Sequence, residues 1–349
     1  MNFLLYGATG YTGQLIAEAC ASRGLRPTLA GRSGAPLKAL AERLGLPSVQ
    51  LALDDAVGLD RALAEAALVL HCAGPFAETG APMMEACLRA RRHYLDITGE
   101  ISVFEQARAL DATARERGVM LLPGVGFDVV PSDCLAAHAA QLLPGATSLE
   151  LCVASFGTVS HGTAATALQQ FRGESIERIE GRLVPYRFGK RRRAFDLGDG
   201  RQHVAVGAPL ADVVSAAATT GIDNVRTYLV LGAKLRRALR VAPLLAPLLG
   251  VPAIARFVRS SLPPGGPDAA ARARGRSIVV AEVSDAGGKR AGARLAGPEA
   301  YAFTVECALL CVERVLKGAA PAGFQTPARA FGAELVLEVP GVVRTDLPA

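Results

Sequence analysis

Short apolar runs alternate with amphipathic stretches through the first third of the chain. Asn2 to Tyr6, Pro27 to Ala30, Val49 to Leu53, Ala67 to His71, His93 to Ile97 and Val119 to Leu122 are brief and apolar. That is how strands buried on both faces read. Between them Leu15, Ile16, Ala19 and Cys20 recur at helical spacing, as do Leu37, Leu40, Ala41 and Leu44. Met83 to Arg91 and Phe104 to Arg117 supply further helices. Strands and helices in strict alternation predict an α/β fold: a doubly wound parallel sheet of the Rossmann kind.

Near Gly126 the rhythm changes. An apolar helix runs to Leu143, and Leu149 to Phe156, Leu183 to Phe188, Arg193 to Leu197 and His203 to Val206 then read as strands, with a turn at Asp199-Gly200. Ser277 to Ser284 and Arg290 to Leu295 flank Asp285-Ala286-Gly287-Gly288 as a hairpin, and Glu299 to Leu316 is helical again. The expectation is a Rossmann domain over 1–126 and a second α+β domain, built on a mixed sheet, over 127–349. Its C-terminal tail is expected to pack back on the first domain.

Composition narrows the class. A chain of 349 residues suits two domains with real cores. The net charge of +6 comes from scattered arginines, which favours acidic small ligands and argues against a nucleic-acid track. Seven cysteines occur without a CxxC pair or a metal cluster, which predicts reduced thiols, no metal and a cytoplasmic protein. The N-terminus lacks a charged leader region, so no signal peptide is expected. One segment stands apart: Val241 to Ala255 is apolar, and basic residues flank it from Lys234 to Arg259. It is short for a membrane span and broken by Pro243, Pro247 and Pro252. A peripheral membrane contact through 234–259, a greasy lid over an apolar substrate and an oligomer interface all remain open. A homodimer is the expected assembly.

The candidate chemistry begins at the first strand. Gly7, Gly10 and Gly13 fall between it and the first helix, where a dinucleotide pyrophosphate can meet backbone amides and a helix N-terminus. Thr9, Tyr11 and Thr12 share that turn. An NAD site places an acid at the end of strand two; here Arg32 and Ser33 stand there. A guanidinium and a hydroxyl suit a 2′-phosphate, so the cofactor read from the residues is NADP. Asp54 ends strand three, where it could face the adenine or cap a helix. Cys72, Ala73, Gly74 and Pro75 follow strand four and leave room at the carboxyl end of the sheet. Cys72 reads as a space-leaving residue and not a nucleophile.

Together these pieces resemble the saccharopine dehydrogenase-like oxidoreductases, in particular the branch that includes the trans-acting enoyl reductases. GATGYTG (Gly7 to Gly13), AGRS (Ala30 to Ser33), CAGPF (Cys72 to Phe76), HYLDITGE (His93 to Glu100), GVGFDVVPSD (Gly124 to Asp133), SHGTAAT (Ser160 to Thr166) and GFQTPARAFG (Gly323 to Gly332) carry the likeness. It is weakest from about Arg172 to Arg274. The resemblance implies an NADP-binding Rossmann domain and a catalytic α+β domain. Substrates differ among members: some reduce imines, others enoyl thioesters or lipid-linked double bonds.

Hydride transfer to C=C or C=N needs a proton donor near the acceptor. Tyr94 and Glu100 at the end of strand five, Asp128 at the domain junction and His161 in a strand-to-helix loop are the candidates. Asp96 and Glu100 could instead cap a helix, and Ser132 and Asp133 could do the same beside Asp128. Tyr186 and Lys190 have YxxxK spacing, but the region reads as strand and turn, where the two side chains do not share a helical face. Lys190 to Arg193 reads as a solvated hairpin tip. The expected function is an NADPH-dependent oxidoreductase reducing an enoyl bond of an apolar, acyl-thioester or lipid-like substrate. A saccharopine-type imine or amino-acid reductase and a non-catalytic NADP-binding sensor are the alternatives.

Overall fold

The computed structural model describes residues 2–157, 174–231 and 265–348. The chain divides into two compact units, Met1–Cys134 with Tyr301–Val339, and Leu135–Ala300 with Pro340–Ala349.

The first unit is built on strands β1 (Leu4–Tyr6), β2 (Thr28–Gly31), β3 (Ser48–Gln50), β4 (Leu68–His71), β5 (His93–Asp96) and β6 (Met120–Leu122). Helices α1 (Tyr11–Ser22), α2 (Gly34–Leu44), α3 (Ala56–Ala64), α4 (Phe76–Ala90), α5 (Ile101–Ala109) and α6 (Asp111–Arg117) alternate with them. The short strand Gly323–Phe324 joins beyond β6, giving a seven-stranded sheet ordered Gly323–Phe324, β6, β5, β4, β1, β2, β3. Every pairing in it is parallel. β1, β4 and β6 are buried at every position, which explains their unbroken apolar sequences. The order reverses between β1 and β4, and in open parallel sheets such a switch point, beyond the carboxyl ends of the strands, is where ligands bind.

The predicted helix Phe104 to Arg117 is two helices meeting at Leu110. Asp111, which begins the second, accepts the Phe324 amide at 2.7 Å and so fixes the added strand. Two more buried side chains tie residues after 300 into this unit. Thr304 Oγ1 accepts the Phe127 amide at 3.1 Å, and Asp133 Oδ2 accepts the Ala328 amide at 2.8 Å.

The second unit carries a nine-stranded mixed sheet. β7 (Ser148–Phe156) lies at its centre. It is followed in the chain by β8 (Glu174–Ile179), β9 (Arg182–Arg187), β10 (Arg192–Asp196), β11 (Gln202–Gly207), β12 (Asn224–Val230), β13 (Arg276–Ser284) and β14 (Arg290–Pro298). β7 pairs in parallel with β12 and antiparallel with β13, and Val343–Asp346 adds an edge strand to β14. Both expected turns are present. β10 and β11 join around Asp199-Gly200, and β13 and β14 around Asp285 to Gly288.

The β10–β11 hairpin curls back over one face of this sheet. Phe195 and Leu197 bury there against Cys152, Ile278 and Val280. Arg193 pairs with Glu150 of β7 and Glu282 of β13, its guanidinium 4.6 Å from the Phe195 ring centre. Within Lys190 to Arg193, Lys190 and Arg192 are exposed as expected of a solvated tip, and Arg193 is not. Arg191 Nε also donates to Glu177 at 3.0 Å, and Arg226 Nε donates to the same carboxylate at 2.9 Å. Tyr186 lies in β9 and Lys190 in the following turn, as the strand-and-turn reading required.

Among the described residues no helix is long and apolar enough to cross a membrane, and no group of His, Cys, Asp or Glu could hold a metal ion. His161 and the 234–259 segment lie outside the described residues.

Candidate functional site

The carboxyl end of the parallel sheet gathers most of the sequence-derived candidates. Gly7 ends β1 with φ of 83°, in the left-handed region that suits glycine. A Cβ there would lie 2.7 Å from Ala73 N, so the β1 turn and the loop after β4 are in direct contact. A Cβ on Gly13 would fall 2.2 Å from the Gly7 carbonyl, so α1 can sit this close to the turn only with glycine in its first turn.

Gly10 is the N-cap of α1, with no capping side chain and no acid in the first turn. Early amides of α1, those of Thr12 and Gly13, thus precede the intrahelical ladder and can meet an anion. Gln14 Nε2 fixes the turn by donating to the Thr9 carbonyl at 2.8 Å. The Tyr11 ring meets Tyr301 edge to face, with centres 5.0 Å apart.

At the end of β2, Arg32 is exposed and has no ion pair among the described residues. Ser33 is the N-cap of α2, but its hydroxyl makes no capping bond. The two acids after β3 divide their work. Asp55 Oδ1 accepts the Gly58 amide at 2.9 Å and caps α3, leaving Asp54 exposed and outside the cap.

The loop after β4 holds Cys72, Ala73, Gly74 and Pro75, with a cis Gly74–Pro75 peptide. Burial, reinforced by Asp96 and Cys20, pushes the Cys72 thiol up, away from the thiolate form. Glu100 grips the other end of this loop. Its two oxygens accept the Phe76 amide at 3.0 Å and the Ala77 amide at 2.8 Å, which caps α4. The capping alternative for Glu100 thus applies to the preceding helix α4.

Tyr94 has no exposed surface, and its hydroxyl donates to Asp96 Oδ2 at 2.6 Å. Burial and then the Asp96 charge hold the phenol well above its ordinary range. Asp96 Oδ1 accepts the Thr98 amide at 2.9 Å and the Gly124 amide at 2.8 Å. Burial pushes the Asp96 carboxyl up to about 6, against the pull of those hydrogen bonds. In the next cluster Ser132 donates to the Val129 carbonyl at 3.0 Å, while Asp133 serves Ala328.

Asp128 differs from all of these. It forms no hydrogen bond or ion pair with the described residues and keeps solvent-accessible surface. It lies against Gly99, where an added Cβ would stand 3.2 Å from Asp128 Oδ2. Its surroundings are crowded enough that desolvation pushes the carboxyl up to about 6. The structure thus brings Asp128 to the end of β5 and uses Tyr94 and Glu100 to hold that end in shape.

Residues 3–122 match the saccharopine dehydrogenase NADP binding domain. The matched stretch lies within the first unit. The chain is 34% identical over 202 residues to the trans-acting enoyl reductase of Mycobacterium tuberculosis, covering 53% of this chain and 48% of that protein. It is 30% identical over 181 residues to a saccharopine dehydrogenase-like oxidoreductase of Mus musculus, covering 46% and 42%. The chain spans about half the length of these curated relatives. Among solved structures, apo saccharopine dehydrogenase (L-Glu forming) from Saccharomyces cerevisiae superposes with a TM-score of 0.67 at 12% identity, covering 99% of this chain and 100% of that one. At that identity the likeness shows the fold.

The residues present fit NADP. The uncapped α1 N-terminus and the glycine contacts suit a pyrophosphate, and Arg32 with the unused Ser33 hydroxyl suits a 2′-phosphate. The sequence motifs named the glycine turn, Arg32 and the acids. They did not name His71 and Thr79, which hold the β4 loop from beneath. A histidine closing an otherwise aliphatic buried strand, directly before CAGPF, was the available signal.

Proposed function

We propose that the protein is an NADPH-dependent reductase of a C=C bond in an apolar, acyl-thioester or lipid-like substrate, with Asp128 as the proton donor. Bound NADPH supplies the hydride that reaches the β-carbon. The chain must then deliver a proton to the α-carbon as the enolate collapses. Asp128 is the observation that carries this reading. Its carboxyl is accessible, lies at the carboxyl edge of the sheet beside Gly99, and holds its proton up to about pH 6. Tyr94 and Asp96 brace the end of β5, and Glu100 fixes the loop that faces Gly7. The enoyl reductase relative at 34% identity supports the substrate class.

NADPH oxidation against a panel of enoyl thioesters tests this. Asp128→Asn should lower turnover by about 10²-fold and remove a decline in activity that sets in as pH rises through about 6. Turnover with imines but no enoyl compound would overturn the substrate class. NADPH binding without any turnover would leave a sensor.

A further inference from the structure

The loop between β4 and α4 has an unusual division of hydrogen bonds. One of its carbonyls is tied inward by a side chain: Thr79 Oγ1 lies 2.7 Å from the Ala73 carbonyl, whereas the Pro75 carbonyl, 3.0 Å from the same oxygen, also accepts the Glu78 and Thr79 amides of α4. His71 Nε2 lies 3.0 Å from the same hydroxyl oxygen. A threonine hydroxyl has one proton to donate. With that proton on the Ala73 carbonyl, its oxygen accepts from His71, which fixes the histidine in the tautomer with hydrogen on Nε2.

His71 is fully buried, packed between the rings of Tyr6 and Phe76 with both centres 5.4 Å away, and its Nδ1 has no partner. Burial takes its pKa down to about 3, so the ring is neutral at ordinary pH. The amides at either end of the loop are also taken. Cys72 N donates to the Tyr6 carbonyl at 2.8 Å, and Phe76 N and Ala77 N donate to Glu100.

Two donors remain. The Ala73 and Gly74 amides make no hydrogen bond to described residues, and Ala73 N is the atom nearest to where a Gly7 side chain would stand. Unsatisfied main-chain donors grouped beside a glycine turn are what a ligand's oxygen needs. We infer that His71 and Thr79 are positioning residues: by holding the Ala73 carbonyl inward, they leave the Ala73 and Gly74 amides as ligand-facing donors for the cofactor. The inference rests on the NADP reading of the first unit and adds a second row of donors opposite the α1 N-terminus.

Fluorescence titration of NADPH into the full chain tests it, with thermal unfolding followed in parallel. Thr79→Val keeps the shape and deletes the hydroxyl, and should weaken NADPH binding about fivefold to tenfold, because binding must then order a loosened loop. Thr79→Ser restores the hydroxyl and should bring affinity back within about twofold of the original. His71→Leu should weaken binding in the same direction. If Thr79→Val does not fold, Thr79→Ala carries the same expectation. A Thr79→Val chain that unfolds earlier but binds NADPH as tightly as the parent overturns the inference, as does a Thr79→Ser chain as weak as Thr79→Val. Failure of the unmodified chain to bind NADPH would instead overturn the NADP reading, so the two failures are distinguishable.

Discussion

Removing the Arg32 guanidinium should separate NADPH from NADH. Arg32 is exposed at the end of β2 and has no ion pair among the described residues, so its charge is not already engaged. Beside it the Ser33 hydroxyl makes no capping bond, and the first turn of α2 contains no acid to repel a phosphate. A charge-assisted hydrogen bond contributes about 1.5–3 kcal/mol, and solvent exposure moves that toward its lower end. Arg32→Ala should therefore weaken NADPH binding roughly 10–30-fold, while NADH, which lacks the 2′-phosphate, changes by less than about twofold. Fluorescence titrations of both nucleotides at two salt concentrations measure this, and the NADPH difference should shrink at the higher salt. Equal losses for both nucleotides would show that Arg32 supports the fold of the β2 end and does not read the phosphate. No loss for either would place the 2′-phosphate elsewhere.

Two predictions concern the frame beneath the site. Burial raises Asp96 from 3.8 to about 6, so the folded chain binds that proton more tightly than the unfolded one. Its contribution is therefore largest below the unfolded value and is lost as pH rises through about 6; about 2 kcal/mol of that loss falls between pH 4.5 and 7, and the fall measured by urea unfolding at those two pH values should shrink by that amount in Asp96→Asn. Asp133→Ala leaves the buried Ala328 amide without its acceptor and should destabilise the chain by about 1–3 kcal/mol in urea unfolding, with Asp133→Asn losing less because it keeps an acceptor oxygen. Equal unfolding midpoints for Asp133→Ala and the unmodified chain would refute the second.

Much of the fold was legible because burial and hydrophobicity agree in the first unit. β1, β4 and β6 are buried throughout and, but for Tyr6 and His71 at two of their ends, aliphatic, so each stood out as a run. β8 did not, because its buried positions are polar. Ser175 and Glu177 face inward, and the Glu177 side chain is only 3% exposed. Arg226 of β12 and Arg191, just before β10, neutralise it, a long-range pairing that periodicity does not encode. Pairing of the same kind, with Glu150 and Glu282, holds Arg193 of a basic run whose Lys190 and Arg192 stay exposed. Gly323–Phe324 is two residues long and exists because Asp111 and β6 receive it. Such an element has no periodicity to read.

The site was legible as a list of residue types, and its division of labour was not. Tyr94, Asp96, Glu100, Asp128 and Asp133 are all chemically able to move a proton, and spacing cannot rank them. What ranks them is which atoms the fold has already engaged. Tyr94 is given to Asp96, Asp96 to the Thr98 and Gly124 amides, Glu100 to the start of α4, and Asp133 to Ala328. Each of those bonds makes proton release harder to couple to a substrate, because a transfer would break a buried contact worth keeping. Asp128 has none of these commitments and retains a route to solvent. Its neighbours are nevertheless dense enough to raise its affinity for a proton. Availability and a shifted proton affinity must coincide for a carboxyl to act as an acid near neutral pH. That is the ground on which we propose Asp128, the residue that the surrounding hydrogen bonds leave over, as the acid.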